Sequence, residues 1–487
     1  MIELDRTSGI PLYRQVKEQL RTKILTGVLP PGTKLPPERN LAGTIGVNRT
    51  TIVTAYKELA AEGLVEGRVG HGTVVLAPVI APPPGPVRPM QWAASSAGED
   101  PVMADVAAIL RRPGAISFAN GEMDSSLYPA ELLAEAFAAL LAGSGDFLGY
   151  GPAMGYAPLR EALAARTGGR PEEILVLGGS QTALYLLNQL LLQPGDSVVV
   201  EAPSYLNSLG IFPPGVRVIP AKVDEDGLQT EGLGELFLRY RPKLLFTLPT
   251  FQNPLGVTLS LARRHQLLEL AAKYQVGIVE DDPYGELHLE GERLPTLKSL
   301  DPGGYVIYLS SFSKSLTPAL RVAWMAAPPA VVERVAASRG ALDFRAALLN
   351  QAAADRILRS GALDRHLVVL RAELLARRDA LVGALAQWMP PGVSWRVPAG
   401  GYHLWCTLPA PLRARRLLSE AAREGVAFIP GDYYGPGEDG RRGIRLNFTH
   451  PNAAEIPGGV QRLAGAIRRL LREDGVMDRS DWSGSVL

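Results

Sequence analysis

Cysteine is almost absent from this chain. The one cysteine, Cys406, cannot close an intrachain disulfide and has no companions at zinc-ligand spacing, so neither a disulfide framework nor a bound metal is expected. A core thiol in a reducing compartment is the plain reading. Net charge is nearly absent too: 50 basic side chains stand against 49 acidic ones. Whole-chain electrostatics therefore give no reason to bind nucleic acid, and any basic patch must be local. No apolar run approaches the roughly 18 residues that a membrane span needs. The opening MIELDRTSGI lacks a basic segment followed by an apolar one, the pattern of a secretory leader. A soluble cytoplasmic protein with no membrane partner is expected.

What is present is length and apolar content. A chain of 487 residues, 46% hydrophobic, is about three times the usual domain size and should hold more than one core. The clearest break is Ala77–Met90, APVIAPPPGPVRPM, whose close prolines favour an extended spacer and oppose helix. It separates a head, 1–76, from a body, 101–472, with a linker over 77–100 and a polar tail over 473–487.

In the head, Leu12, Val16, Leu20 and Ile24 recur at helical spacing and share one face. A second helix is expected over Glu38–Ile45, turning at Gly46, and a third after Asn48 as N-cap. Leu64–Glu66 and Thr73–Leu76 read as two strands of a hairpin. Helix, helix-turn-helix, hairpin is the order of a winged helix. In the body, apolar strands at 174–177, 197–201, 244–248 and 276–280 alternate with helical patterns at 182–192 and 261–274. That alternation predicts an α/β fold with a largely parallel sheet. Beyond Leu342, long helices and strands at 401–407 and 443–448 predict a smaller α+β lobe.

Arg39, Asn48, Arg49, Thr50, Thr51 and Thr54 gather around the start of the third helix, where a helix-turn-helix meets base edges and phosphates. Arg68 and His71 stand among glycines at the hairpin tip. Singly, each arginine reads as a solvated surface charge. Together the strings Leu-Pro-Pro-Glu-Arg-Asn-Leu-Ala, Gly-Val-Asn-Arg-Thr-Thr and Gly-His-Gly-Thr resemble the GntR family of regulators over residues 11–76. The resemblance implies binding to double-stranded operator DNA. Many members carry a polar residue where this chain has Val53.

Four further motifs lie in the body. Leu-Ser-Ser-Phe-Ser-Lys314 follows an apolar strand. Asp281-Asp282-Pro283-Tyr284 ends another. Gly178-Gly179-Ser180-Gln181 joins a strand to a helix, a place suited to a phosphate. Pro249 to Gly256 carries Asn253. Alone, each has an ordinary reading as surface lysine, strand-end turn, tight turn or proline-rich loop. Together they supply what pyridoxal phosphate needs: an amine, an acid for the ring nitrogen, a donor to the phenolate oxygen and an anion cradle.

With Tyr150–Gly155, Tyr205 and Arg445, these motifs resemble fold-type I pyridoxal-phosphate enzymes of the class I aminotransferase family over about residues 110–470. The resemblance implies that Lys314 forms the Schiff base, Asp281 pairs with the ring nitrogen, and Asn253 and Tyr284 bond the phenolate oxygen. It further implies that Ser180, Gln181, Ser311 and Arg321 hold the phosphate and that Tyr205 stacks on the ring. Tyr150 would reach the cofactor phosphate of a second subunit, which implies a homodimer. Arg445 would take the carboxylate of an amino compound.

A winged helix joined to such a body resembles the MocR/GabR-type subfamily of GntR regulators. That implies a sensor of an amino compound, or of pyridoxal phosphate itself. The alternative is a working aminotransferase with an accessory DNA-binding head, and both stay open at this point.

Overall fold

The computed structural model describes residues 2–68, 72–76, 101–143, 145–208, 210–342, 344–435 and 437–476. The chain divides into two compact units, Met1–Ala97 and Gly98–Leu487. His71, the linker expected over 77–100 and the tail beyond Val476 lie outside the described residues, and of Arg68 only the backbone is described.

The first unit contains α1 (Leu12–Leu25), α2 (Glu38–Ile45), α3 (Arg49–Ala61), β1 (Val65–Arg68) and β2 (Gly72–Val75). Val16, Leu20 and Ile24 of α1 share one core with Ile52, Ala55, Tyr56 and Leu59 of α3. α2 ends at Gly46 in the left-handed conformation, and Asn48 caps α3 by accepting the Thr50 N–H at 3.1 Å. β1 and β2 pair antiparallel from Val65↔Val75 to Arg68↔Gly72. A further edge was not foreseen: Lys34 bridges to Val74, and Leu35 N donates to Thr73 O at 2.9 Å. The prolines just before it read as a helix stop, and the segment is too short to show strand alternation.

The second unit is built on β3 (Ile174–Leu177), β4 (Ser197–Ala202), β5 (Arg217–Asp224), β6 (Gly227–Leu228), β7 (Leu244–Thr247), β8 (Gly277–Asp281), β9 (Val306–Ser311) and β10 (Ala323–Ala326). They form one sheet in the order β3-β10-β9-β8-β7-β4-β5-β6. The run from β9 to β5 is parallel, while β10 and β6 pair antiparallel. Val198 and Val200 pack into the core under α4 (Ser180–Leu191), with Ala183 and Leu187. Val199 faces the opposite core under α5 (Leu261–Tyr274), with Leu267 and Ala271. Both faces of the sheet are covered, which is why its strands read as unbroken apolar runs.

The smaller lobe holds β11 (Ser394–Trp395), β12 (His403–Thr407), β13 (Ile429–Pro430) and β14 (Gly443–Asn447) in the antiparallel order β11-β12-β14-β13. The helices α6 (Ala362–Trp388) and α7 (Glu455–Glu473) pack around the same core through Leu374, Leu381, Leu463 and Ile467. α7 runs through Glu473, the residue at which the tail was expected to begin, because Leu470 and Leu471 are still buried. Among the described residues, no helix is long and apolar enough to cross a membrane.

Candidate cofactor and effector site

In a parallel sheet the strands deliver their carboxyl ends to one edge, where ligands bind. β7 leads into the loop that carries Asn253, β8 ends at Asp281, and β9 ends at Ser311 just before Lys314. A cavity of about 260 Å³ opens there, lined by Ser180, Gln181, Tyr205, Asn253, Asp281, Tyr284, Ser311, Lys314 and Arg321. These are all the cofactor residues expected from the sequence except Tyr150.

Asp281 is 2% exposed. The Tyr205 hydroxyl donates to its Oδ2, and Oδ1 has no hydrogen-bond partner among the described residues. Burial pushes its carboxyl up to about 7, against the Tyr205 hydrogen bond. A buried acid with one oxygen unspent and no bonded cation fits the protonated ring nitrogen of pyridoxal phosphate. The buried Asn253 Oδ1 is likewise unpartnered, and the Tyr205 N–H donates to Asn253 O at 3.2 Å. At the other end, α4 presents its first N–H groups beside Ser180 and Gln181. A Cβ on Gly179 would collide with the Arg321 guanidinium, so glycine lets the cation lie against the turn. Arg321 itself has φ +50, rare for a non-glycine residue and typical of a functional constraint. The donor set fits the phosphate group.

Lys314 Nζ donates to Gly121 O at 2.5 Å, 5.7 Å from the Tyr402 ring centroid. Burial, with the Arg445 charge adding to it, lowers its pKa to about 8. The uncharged amine is the nucleophile, and its fraction grows as pH rises through that value. Loading of cofactor-free protein should therefore speed up about fivefold between pH 7 and pH 8. Following the visible absorption after mixing with pyridoxal phosphate checks this; a flat rate across that window would remove the amine from control of loading.

Other expected residues are placed differently. Tyr150 is 85% exposed and packs edge-on against Phe344, away from its own chain's cavity. Arg445, on β14, is buried; its NH2 donates to the carbonyls of Ala119 and Asn120, while Nε has no partner. Sequence reasoning missed His403, whose Nε2 lies 3.1 Å from the Tyr284 hydroxyl on the cavity wall. It also missed Tyr402, whose hydroxyl donates to Lys314 O at 2.6 Å. Both follow Gly400-Gly401, and that glycine pair was the available signal.

Behind the site, Arg264 is fully buried. It donates to Pro249 O at 2.8 Å, Thr250 Oγ1 at 3.1 Å, Leu259 O at 3.0 Å and Pro295 O at 3.1 Å, and lies 3.9 Å from Glu280. One guanidinium thus fixes both ends of the Asn253 loop.

In the first unit, Arg39, Asn48, Thr50 and Thr54 are exposed and Thr51 is half-exposed. Arg49 donates through Nε and NH2 to Glu38 Oε2 at 3.3 and 3.0 Å, which ties the start of α3 to α2. Thr54 Oγ1 donates back to Thr50 O at 2.9 Å.

Residues 12–75 match the bacterial regulatory proteins of the gntR family, and residues 114–463 match aminotransferase class I and II. The chain belongs to the MocR-type regulators of the gntR family. It is 34% identical to the HTH-type transcriptional regulator YisV of Bacillus subtilis over 96% of this chain and 98% of that one. It is 30% identical to the probable rhizopine catabolism regulatory protein MocR of Rhizobium meliloti, over 88% of each. The body of this MocR-type chain is also similar to the crystal structure of LysN, an α-aminoadipate aminotransferase from Thermus thermophilus, solved with N-(5'-phosphopyridoxyl)-L-leucine. The two share 36% identity and a TM-score of 0.71, over 76% of this chain and 95% of that one.

Proposed function

We propose that this MocR-type regulator binds operator DNA as a cytoplasmic homodimer and senses a small amino compound, or pyridoxal phosphate itself, in the cavity around Lys314. The observation that carries the reading is a single chain with a winged helix and, in its body, a buried unspent Asp281 facing the same cavity as Lys314. The phosphopyridoxyl ligand of LysN supports the cofactor assignment.

When bound, pyridoxal phosphate condenses with amines and draws electrons from the bond so formed. The chain's own residues do the rest. Asp281 holds the ring nitrogen's proton, Asn253 and Tyr284 orient the phenolate oxygen, and Tyr205 flanks the ring. Ser180, Gln181, Ser311 and Arg321 anchor the phosphate. His403 is neutral, its pKa lowered far below the usual range by burial and then by Arg445 and Lys314. Donating from Nε2, it would leave the Tyr284 proton free for the phenolate oxygen. Arg445 would give a carboxylate two charge-assisted bonds by releasing the carbonyls it now holds. A dimer is supported by exposed Leu148, Tyr150 and Phe344, an apolar patch suited to a second copy.

In the head, Arg39, Asn48, Arg49, Thr50, Thr51 and Thr54 would meet DNA, together with Arg68 and His71. Arg49→Ala should weaken operator binding by about 1–3 kcal/mol if the side chain reads a base, and flatten the salt dependence if it holds a phosphate. Titrating labelled operator at several salt concentrations separates the two, and unchanged binding would take Arg49 out of the interface. Arg445→Ala should abolish the DNA-binding response to carboxylated amino compounds while keeping the cofactor absorption; a full response would move the effector site elsewhere.

Lys314, Asp281, Asn253 and Tyr284 line one cavity, which supports a second reading as an enzyme with a DNA-binding head. Steady-state transamination measured beside effector-dependent operator binding decides between them.

A further inference from the structure

Asp281 and its neighbour Asp282 serve different cavities. Asp281 lines the cavity around Lys314, while Asp282 lines another of about 310 Å³. Pro283 and Ser311 line both, so the two cavities share a wall.

The second cavity has a polar floor that the protein leaves unsatisfied. Asp282 is 2% exposed. Its Oδ2 accepts from the Tyr308 hydroxyl at 3.1 Å, and its Oδ1 has no hydrogen-bond partner among the described residues. Trp324, 6% exposed, lines the same cavity with its indole N–H unpartnered. Unpaired buried polar atoms are costly and rare in folded proteins. Position 285 keeps the space over the carboxyl open: a Cβ there would lie 2.8 Å from Asp282 Oδ1, and nearer still to Oδ2.

The lining also carries three cations and a second acid. Arg166, Arg293, Lys298 and Glu286 all line it. Glu286 is already shared: Arg166 Nε bonds it at 2.9 Å, and Arg293 and Arg371 reach it only at 3.5 Å. Arg166 is also paired with Asp364 at 2.9 Å, which leaves Arg293, held only at 3.5 Å, and Lys298 as the cations open to an anion, beside a buried carboxyl in want of a donor. A zwitterion answers both.

We propose that this cavity is a second, non-covalent site for a small zwitterionic amino compound, its ammonium group on Asp282 and its carboxylate at Arg293 and Lys298. The site does not depend on cofactor binding. Through Asp281–Pro283 and Ser311, an occupant would press directly on the strand ends that carry the first cavity.

Saturation-transfer NMR on the full-length Lys314→Ala protein freed of pyridoxal phosphate, so that no aldehyde is present to condense with an amine, tests this with an equimolar mixture of the common L-α-amino acids as probe. Transfer to at least one amino acid is expected, with apparent affinity falling about tenfold or more in Arg293→Ala and in Asp282→Asn and holding in Arg445→Lys. Arg293 is half-exposed, so its variant gives the answer even if Asp282→Asn fails to fold. Transfer lost with Arg445→Lys but indifferent to Arg293→Ala would place the amino acid in the first cavity and overturn the second site. Transfer to no amino acid would overturn it as well. Neither outcome touches the cofactor reading, which the absorption of the wild-type protein tests separately.

Discussion

Lys314→Ala should abolish the visible absorption of the purified protein completely and leave its folded state intact. Among the described residues lining the cavity, Lys314 is the only amine, so none of the others can hold the cofactor covalently. The Nζ it loses makes one hydrogen bond among the described residues, to Gly121 O, so the cost in stability should stay within about 1 kcal/mol. Absorption spectra beside thermal unfolding curves of the two proteins check both halves. A band retained in the variant, or no band in the wild type, would remove Lys314 from the cofactor site.

Arg264→Ala should have the largest effect on stability, a loss of about 3–5 kcal/mol. Four acceptors lose the guanidinium, of which Pro249 O keeps the Leu259 N–H at 2.8 Å, and Glu280, fully buried, loses the cation beside it. Glu280 keeps its bonds from the Leu297 and Lys298 N–H groups, each at 2.8 Å, so the damage should centre on the Asn253 loop. Denaturant unfolding measures the loss. Arg264→Met combined with Glu280→Gln should recover part of it, because the unpaired charge is then gone; equal losses in both variants would put the cost in packing instead.

Much of this arrangement is legible in the sequence, for reasons that differ by element. The helices of the head announce themselves because one face of each is buried and its ends carry Gly46 and Asn48. The strands at 174–177 and 244–247 show as apolar runs because helices cover both faces of the sheet. β5 was not seen, since at the sheet's margin its burial alternates and Pro220 interrupts it. β10 was missed because Ala323–Ala326 is as apolar as a helix segment. The cofactor residues were readable as local motifs, each tied to a strand end. His403, Tyr402 and Gly121 were not, because they reach the cavity from the smaller lobe and from the segment before the first long helices. Only folding brings them to Lys314. Arg264 gave no signal at all: an arginine on an amphipathic helix reads as solvated until the loops close over it.

The central claim is sensing, and one measurement tests it directly. The full-length protein carrying its cofactor is titrated onto operator DNA with and without candidate amino compounds, while keto-acid product is assayed in the same samples. A sensor gains from a long-lived liganded state, since ligand shifts the DNA-competent population only through its differential affinity for the two states. The account predicts that at least one amino compound changes DNA affinity by about fivefold or more with little or no product formed. DNA affinity indifferent to every compound, alongside rapid multiple turnover with a 2-oxo acid acceptor, would contradict it and make the protein an aminotransferase.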